Sequence, residues 1–132
     1  LPFPVLIKGN VDRIELRNGK IRIIDYKTGK VEKTNVMLKS WKGLTQELKN
    51  DKIIQVLAYA FMFEHEAAGL PIEAGIISFK NLKSGFLPFG FKEDKELNII
   101  VTAEILNNYL EEIVLLLNEI FDITIPFEEK IN

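Results

Sequence analysis

Cysteine is absent from the 132 residues. Its absence excludes disulfides, thiolate zinc sites, a cysteine nucleophile and any iron–sulfur cluster held by this chain. It fits an intracellular protein, with the cytoplasm as the expected location. Histidine and tryptophan occur once each, as His65 and Trp41. With a single histidine in an unremarkable helical context, Ser/His/Asp catalysis has little support. There is no glycine-rich phosphate loop, no internal repeat and no low-complexity segment. No uninterrupted apolar run reaches membrane-spanning length, and no charged-then-apolar leader opens the chain, so no membrane partner is expected.

Apolar residues make up 47% and charged residues 27% of the chain, which is the balance of a folded globular domain. One domain spanning residues 1–132 is expected. The chain opens on LPFPVLIKGNV, a strand pattern directly after Pro4, so it reads as a piece cut from a longer protein. Net charge is −2, but it is unevenly spread: residues 1–50 carry 11 Lys+Arg against 5 Asp+Glu, and residues 51–132 carry 6 against 14. A basic half attracts phosphates. The asymmetry is nevertheless weaker than the usual footprint of a nucleic-acid-binding protein, and solvated surface charge explains it as well.

The most informative stretch is GNVDRIELRNGKIRIIDYKTG, from Gly9 to Gly29. Asn18-Gly19 between alternating apolar residues predicts a hairpin closed by a type I′ turn, which needs positive φ at both central positions. Arg17 then faces Lys20, and counting outward from the turn places Asp12 across from Asp25. Lys27 follows on the same side of the pleat. That face also holds Ile14, Leu16, Ile21 and Ile23, an expected core-facing set. The other face holds Arg13, Glu15, Arg17, Lys20 and Arg22, interrupted by Val11, Ile24 and Tyr26, with Glu15 opposite Arg22 as a favourable cross-strand pair. A slip of one residue would turn the apolar set outward, so the register is well specified. Two opposed carboxylates at the edge of an apolar face are destabilising unless something offsets them. A divalent cation would do so, and so would Lys27 alone.

The remaining chain reads as alternating elements. Residues 5–11 extend the hairpin into a meander. Residues 28–50 read as a polar loop with helical character at 44–48, anchored by Trp41; its lysines Lys30, Lys33, Lys39, Lys42 and Lys49 suit a phosphate backbone or plain solvent. Residues 51–68 form a helix with Ile54, Leu57, Ala58, Phe61 and His65 on one stripe, stopped by Gly69 and Pro71. Gln55 and Tyr59 stand i, i+4 beside that stripe. A strand covers 73–79, and a second covers 86–91, where Pro88 predicts an edge. Asn81 to Gly85 is the turn between them. Thr102 caps a helix running to about Phe121 with Ala103, Leu106, Leu110, Ile113, Leu117 and Ile120 inward, and Glu111, Glu112 and Glu119 towards solvent. The tail ITIPFEEKIN is expected to be extended. The fold class is α/β (α+β): an antiparallel meander in a mixed sheet flanked by helices.

Carboxylates with a backbone carbonyl are hard oxygen ligands that suit Mg²⁺ or Mn²⁺. A lysine beside such a metal can orient or deprotonate an attacking water, or stabilise charge in the transition state. A glycosidase pair is less apt, because directly opposed strand residues stand about 4.5–5.5 Å apart at Cβ and no aromatic sugar cleft lies nearby.

IKGNVDRIE, then IIDYKTGK, then QVLAYAF resemble, in that order, the G-x-x-D-R, D-[YW]-K-[TS] and Q-x3-Y segments of the PD-(D/E)XK nuclease superfamily in its RecB/AddB-type exonuclease branch. The resemblance covers residues 7–29 and 55–59. It implies a restriction-endonuclease-like core, with Asp12, Asp25 and the Tyr26 carbonyl on the metal and Lys27 as the catalytic lysine. Gln55 and Tyr59 would support the site or touch DNA, and Arg13 and Thr28 belong to the same motifs. It also implies DNA as partner and a helicase domain or subunit in the parent protein. Relatives carry a helix before the meander with a Glu or His that completes the site; this helix is expected to be missing here. Many also carry cysteines for an iron–sulfur cluster, which this chain lacks. The expected function is a Mg²⁺-dependent DNA nuclease domain, with a non-catalytic DNA-binding or scaffolding domain of the same fold as the alternative.

Overall fold

In the computed structural model, residues 11–121 are described, with side chains to Glu119. Strands β1 (Arg13–Arg17) and β2 (Lys20–Lys27) form the hairpin. Its register pairs Arg17 with Lys20, Glu15 with Arg22 and Arg13 with Ile24, as the turn predicts. Asn18 and Gly19 both take positive φ, 51° and 76°, the backbone of a type I′ turn.

A short strand β3 (Met37–Leu38) lies within the long connection that follows. Helix α1 (Asp51–Phe63) then leads to β4 (Ile72–Ser78), β5 (Leu87–Pro88), β6 (Gly90–Glu93), β7 (Glu96–Asn98) and helix α2 (Ala103–Phe121). Two sheets result. One has the order β1-β2-β4-β5, and the other β3-β6-β7. β2 and β4 run parallel from Ile21 beside Ile72 to Lys27 beside Ser78. Parallel neighbours need a crossover, and α1 supplies it. The helix therefore starts at the end of the sheet where β2 finishes. The central strands are buried on both faces, which is why IRIID and IEAGI read as almost continuous apolar runs.

Several expectations need correction. The strand expected at residues 5–11 lies outside the described residues, apart from Val11; on its other side β2 is flanked by β4. Ile14 and Leu16 are not in the core. They are 41% and 67% exposed, whereas Ile23 and Ile76 on the same face are buried. β1 is the edge strand, and α1 packs mainly on β2 and β4.

The buried stripe of α1 is Ile53, Val56, Leu57 and Ala60, with Tyr59 beside it; His65 is exposed in the 3-10 turn that ends the helix at Ala67. The stripe is rotated because the helix is covered from both sides, by the sheet and by α2. The Tyr109 hydroxyl of α2 donates to the Ile54 carbonyl at 3.1 Å, and its burial pushes the phenol up to about 12. In α2 the inward residues are Ile105, Leu106 and Tyr109, with Leu110 and Ile113 half-buried; Ala103 is exposed in the first turn. Thr102 does cap the helix, its Oγ1 accepting from Ile105 N–H at 3.2 Å. The side chain of Ile120 and the tail lie outside the described residues.

The expected strand at 86–91 is split. Leu87–Pro88 edges the first sheet, while Gly90 and Phe91 pair with β3 in the second. The hairpin β6-β7 carries no strong local signal and went unpredicted. Gly75 allows β5 to approach β4: a Cβ there would stand 2.2 Å from the Leu87 carbonyl oxygen. Trp41 anchors the long connection as expected, stacked on Phe91 at 5.4 Å.

Candidate active site

Asp25 is the third residue from the end of β2 and faces α1; it is 4% exposed. Two residues on, Lys27 emerges on the same face, and its Nζ lies 3.0 Å from Asp25 Oδ2. The contact is an ion pair without hydrogen-bond alignment, so Oδ2 remains a buried oxygen with no hydrogen-bond donor among the described residues. Burial pushes the Asp25 carboxyl above its ordinary value, Lys27 pulls it back, and the neighbouring Asp12 pushes it up again. A buried carboxylate with an unfilled oxygen and a second acid beside it is an electrostatic deficit that a cation relieves.

Asp12 comes just before β1, where the ladder stops. Had pairing continued past Arg13 and Ile24, Val11 and Tyr26 would exchange both backbone bonds. Instead the Tyr26 N–H donates to Asp12 Oδ2 at 2.8 Å. The N–H and C=O of a strand residue point to the same side, so the Tyr26 carbonyl also looks towards Asp12. The other side of β2 is occupied by β4, whose neighbour Phe79 donates its N–H to the Lys27 carbonyl at 2.9 Å. The end of the hairpin thus offers two carboxylates and one carbonyl at a single edge.

Helix α1 completes the arrangement. The Lys27 ammonium donates to Gln55 Oε1, and Gln55 Nε2 donates to the Tyr59 hydroxyl at 2.9 Å. Tyr59 is itself buried. The chain Lys27–Gln55–Tyr59 fixes which way the amide points and holds the ammonium beside Asp25. The i, i+4 spacing of Gln55 and Tyr59 is therefore used for a direct side-chain bond.

The other two motif residues lie apart. Arg13 projects from the opposite face of β1, paired with Glu15 at 3.3 Å, because strand side chains alternate and it follows Asp12. Thr28 is exposed in the loop after β2. Ser78 escaped the sequence reading. It is fully buried beside Lys27 in the parallel register, donates to the Gly29 carbonyl at 2.6 Å and accepts from Lys80 N–H at 3.1 Å. It ties down the loop that leaves the site, and only the pairing of distant strands reveals this.

The residues fit a hard divalent cation in type and placement: oxygen donors, net negative charge and one orphaned buried oxygen. Among the described residues no cluster of three or more His, Cys, Asp or Glu side chains forms, so the chain offers two carboxylates and a carbonyl. An ion held so would keep several waters, as Mg²⁺ commonly does. No helix among the described residues is long and apolar enough to cross a membrane.

One family model matches the chain, that of the PD-(D/E)XK nuclease superfamily, over residues 1–130. Neither a curated protein nor a solved structure matched.

Proposed function

This chain belongs to the PD-(D/E)XK nuclease superfamily, and from that premise we propose that it is a divalent-metal-dependent DNA nuclease domain of the RecB/AddB type, serving a helicase–nuclease or recombination-repair protein in the cytoplasm. The observation that carries this reading is the convergence of Asp12, Asp25 and Lys27 at one sheet edge, with the Asp25 Oδ2 buried and short of a donor.

Asp12, Asp25 and the Tyr26 carbonyl would hold Mg²⁺ or Mn²⁺, which supplies Lewis acidity and a water of lowered pKa for phosphodiester hydrolysis. The chain's own groups have separate tasks. Asp25 holds Lys27 within 3.0 Å. Gln55 takes one of the three N–H donors of the ammonium; the contact with Asp25 is ionic and unaligned, so a donor is left for a phosphate oxygen. That donor opposes the charge that grows on the phosphoryl oxygens as the water attacks in line with the leaving group. Tyr59 keeps Gln55 in the orientation that accepts from Lys27.

Linear DNA incubated with Mg²⁺ or Mn²⁺ is the direct test. The chain, in its parent protein, digests it, and Lys27→Ala does not. Digestion undiminished in that variant removes Lys27 from the mechanism. Binding without digestion by the intact protein favours the non-catalytic alternative. Metal binding has its own readout: Mn²⁺ should raise the melting temperature of the wild type but not that of Asp25→Asn.

A further inference from the structure

A groove of about 530 Å³ opens beside the start of α1, lined in part by Lys39, Lys42, Lys49 and Lys92 with Glu47 and Asn50. Its lysines come from three separate places, the turn after β3, the run into α1 and strand β6. Leu38 pairs with Phe91 in the parallel ladder between β3 and β6. The next position on each strand is a lysine, Lys39 and Lys92. Like charges side by side across a ladder are unfavourable. Among the described residues neither of them, nor Lys42, has a carboxylate within ion-pair distance; Lys49 alone is matched, by Glu47 at 3.5 Å. The surrounding backbone is ordered for this display: Lys42 N–H is held by Ser40 Oγ at 3.2 Å, and Asn50 Nδ2 by the Leu44 carbonyl at 3.0 Å.

The groove's location gives the positive charge a use. Because α1 crosses back from the end of β2, its first turn stands at the same end of the sheet as Lys27. Gln55, which receives Lys27, is four residues beyond Asp51, or about 6 Å along the helix axis. Asn50, at the helix start, lines the groove.

We propose that this lysine groove holds the sugar–phosphate backbone of a nucleic-acid strand on one flank of the Asp25–Lys27 site, reading charge and not sequence. The inference rests on the nuclease reading for its substrate, but not for its binding. Three lysines without acidic partners, set around a polar cavity, match a run of phosphates better than a single anion. Phosphate contacts of this kind position a strand without specifying its bases.

The test is binding of a fluorescently labelled oligonucleotide to the full chain in EDTA, where cleavage is suppressed, followed across salt concentrations. Each neutralised phosphate contact contributes about 0.7–0.9 to the slope of log K against log salt. The triple variant Lys39→Ala/Lys42→Ala/Lys92→Ala should therefore lower the slope by about 2–3 and weaken binding at low salt by at least about tenfold. The triple Lys→Arg variant should retain both, which separates lost charge from lost fold. An unchanged slope in the alanine variant overturns the groove assignment. So does competition by polyglutamate as effective as that by unlabelled oligonucleotide, which would assign the groove to an acidic protein. Wild-type binding with the expected slope but no digestion under Mg²⁺ or Mn²⁺ would sink the nuclease reading and leave the groove standing. Digestion lost in Lys27→Ala but untouched, in rate and salt dependence, by the triple variant would do the reverse.

Discussion

Like charges stand across from one another at several strand pairings in this protein, among them Arg17 with Lys20 and Glu93 with Glu96; two further places, each where a ladder ends, have opposite fates. Asp12 and Asp25 meet where the β1–β2 ladder ends, with Asp25 almost fully buried. Lys39 and Lys92 meet where the β3–β6 ladder ends, Lys39 exposed and Lys92 half-buried. Water screens the lysines, so the fold tolerates them without an internal partner. The acids have no such relief. Burial makes the charged form of Asp25 costly, and the structure answers with Lys27, which Gln55 and Tyr59 hold in place. The same local arrangement therefore becomes a fixed, pre-organised centre on the buried side and an open, exchangeable surface on the wet side. A buried pair is suited to holding a reacting group, and an exposed pair to holding a strand that must also leave.

Removing Lys27 should have the largest consequence. Lys27→Ala is expected to lower kcat for DNA digestion by about 10²–10⁴-fold, measured as single-turnover cleavage at saturating Mg²⁺. Loss of the positioning chain comes next. Gln55→Leu leaves Lys27 in place but unheld, and should lower kcat by about 10–100-fold with KM little changed; a rise in KM alone would make Gln55 a DNA contact instead.

Asp25 tests the energetic side of the comparison. Its folded-state pKa is raised above the ordinary 3.8, so the native chain holds this proton more tightly than the unfolded one. Stability is then lost as pH rises from about the unfolded value through the raised native value, and the loss persists at neutral pH. Asp25→Asn should abolish this difference. At neutral pH without divalent metal it should melt a few degrees higher than wild type, the shift that about 1 kcal/mol produces in a domain of this size, while digestion is lost. If wild type and variant show the same pH dependence of melting between acid and neutral pH, Asp25 carries no burial cost. The smallest effect belongs to the wet pair. Lys92→Gln relieves a screened repulsion and should change stability by less than about 0.5 kcal/mol, shrinking further at high salt. A larger, salt-independent change would mean that the lysine is packed and not merely displayed.

Much of the site could be read from the chain because it is local. Asn18-Gly19 sets the phase of both hairpin strands, and the two-residue period then carries Asp12, Asp25 and Lys27 to one face without further information. Thr102 as a cap, the stop at Gly69 and the anchoring role of Trp41 were legible for the same reason: each depends on a few neighbours along the chain. Apart from the strand at 86–91, which splits between two sheets, the misreadings are questions of what covers what. Ile14 and Leu16 alternate as core residues should, yet no element among the described residues lies over the edge strand. The α1 stripe turned because α2 buries a second side of that helix, and a moment taken along one helix cannot register a partner fifty residues away.

The sequence by itself determined the hairpin, its register and the opposition of two acids beside a lysine, because turn stereochemistry and strand alternation act over a few residues. Only the tertiary structure decided that Asp25 is buried, that Gln55 reaches Lys27, that Ser78 ties down the exit loop and that Lys39 stands beside Lys92. Those facts follow from the parallel crossover through α1 and from the second sheet. Both are long-range pairings, set by how the whole apolar surface is covered and not by any one segment.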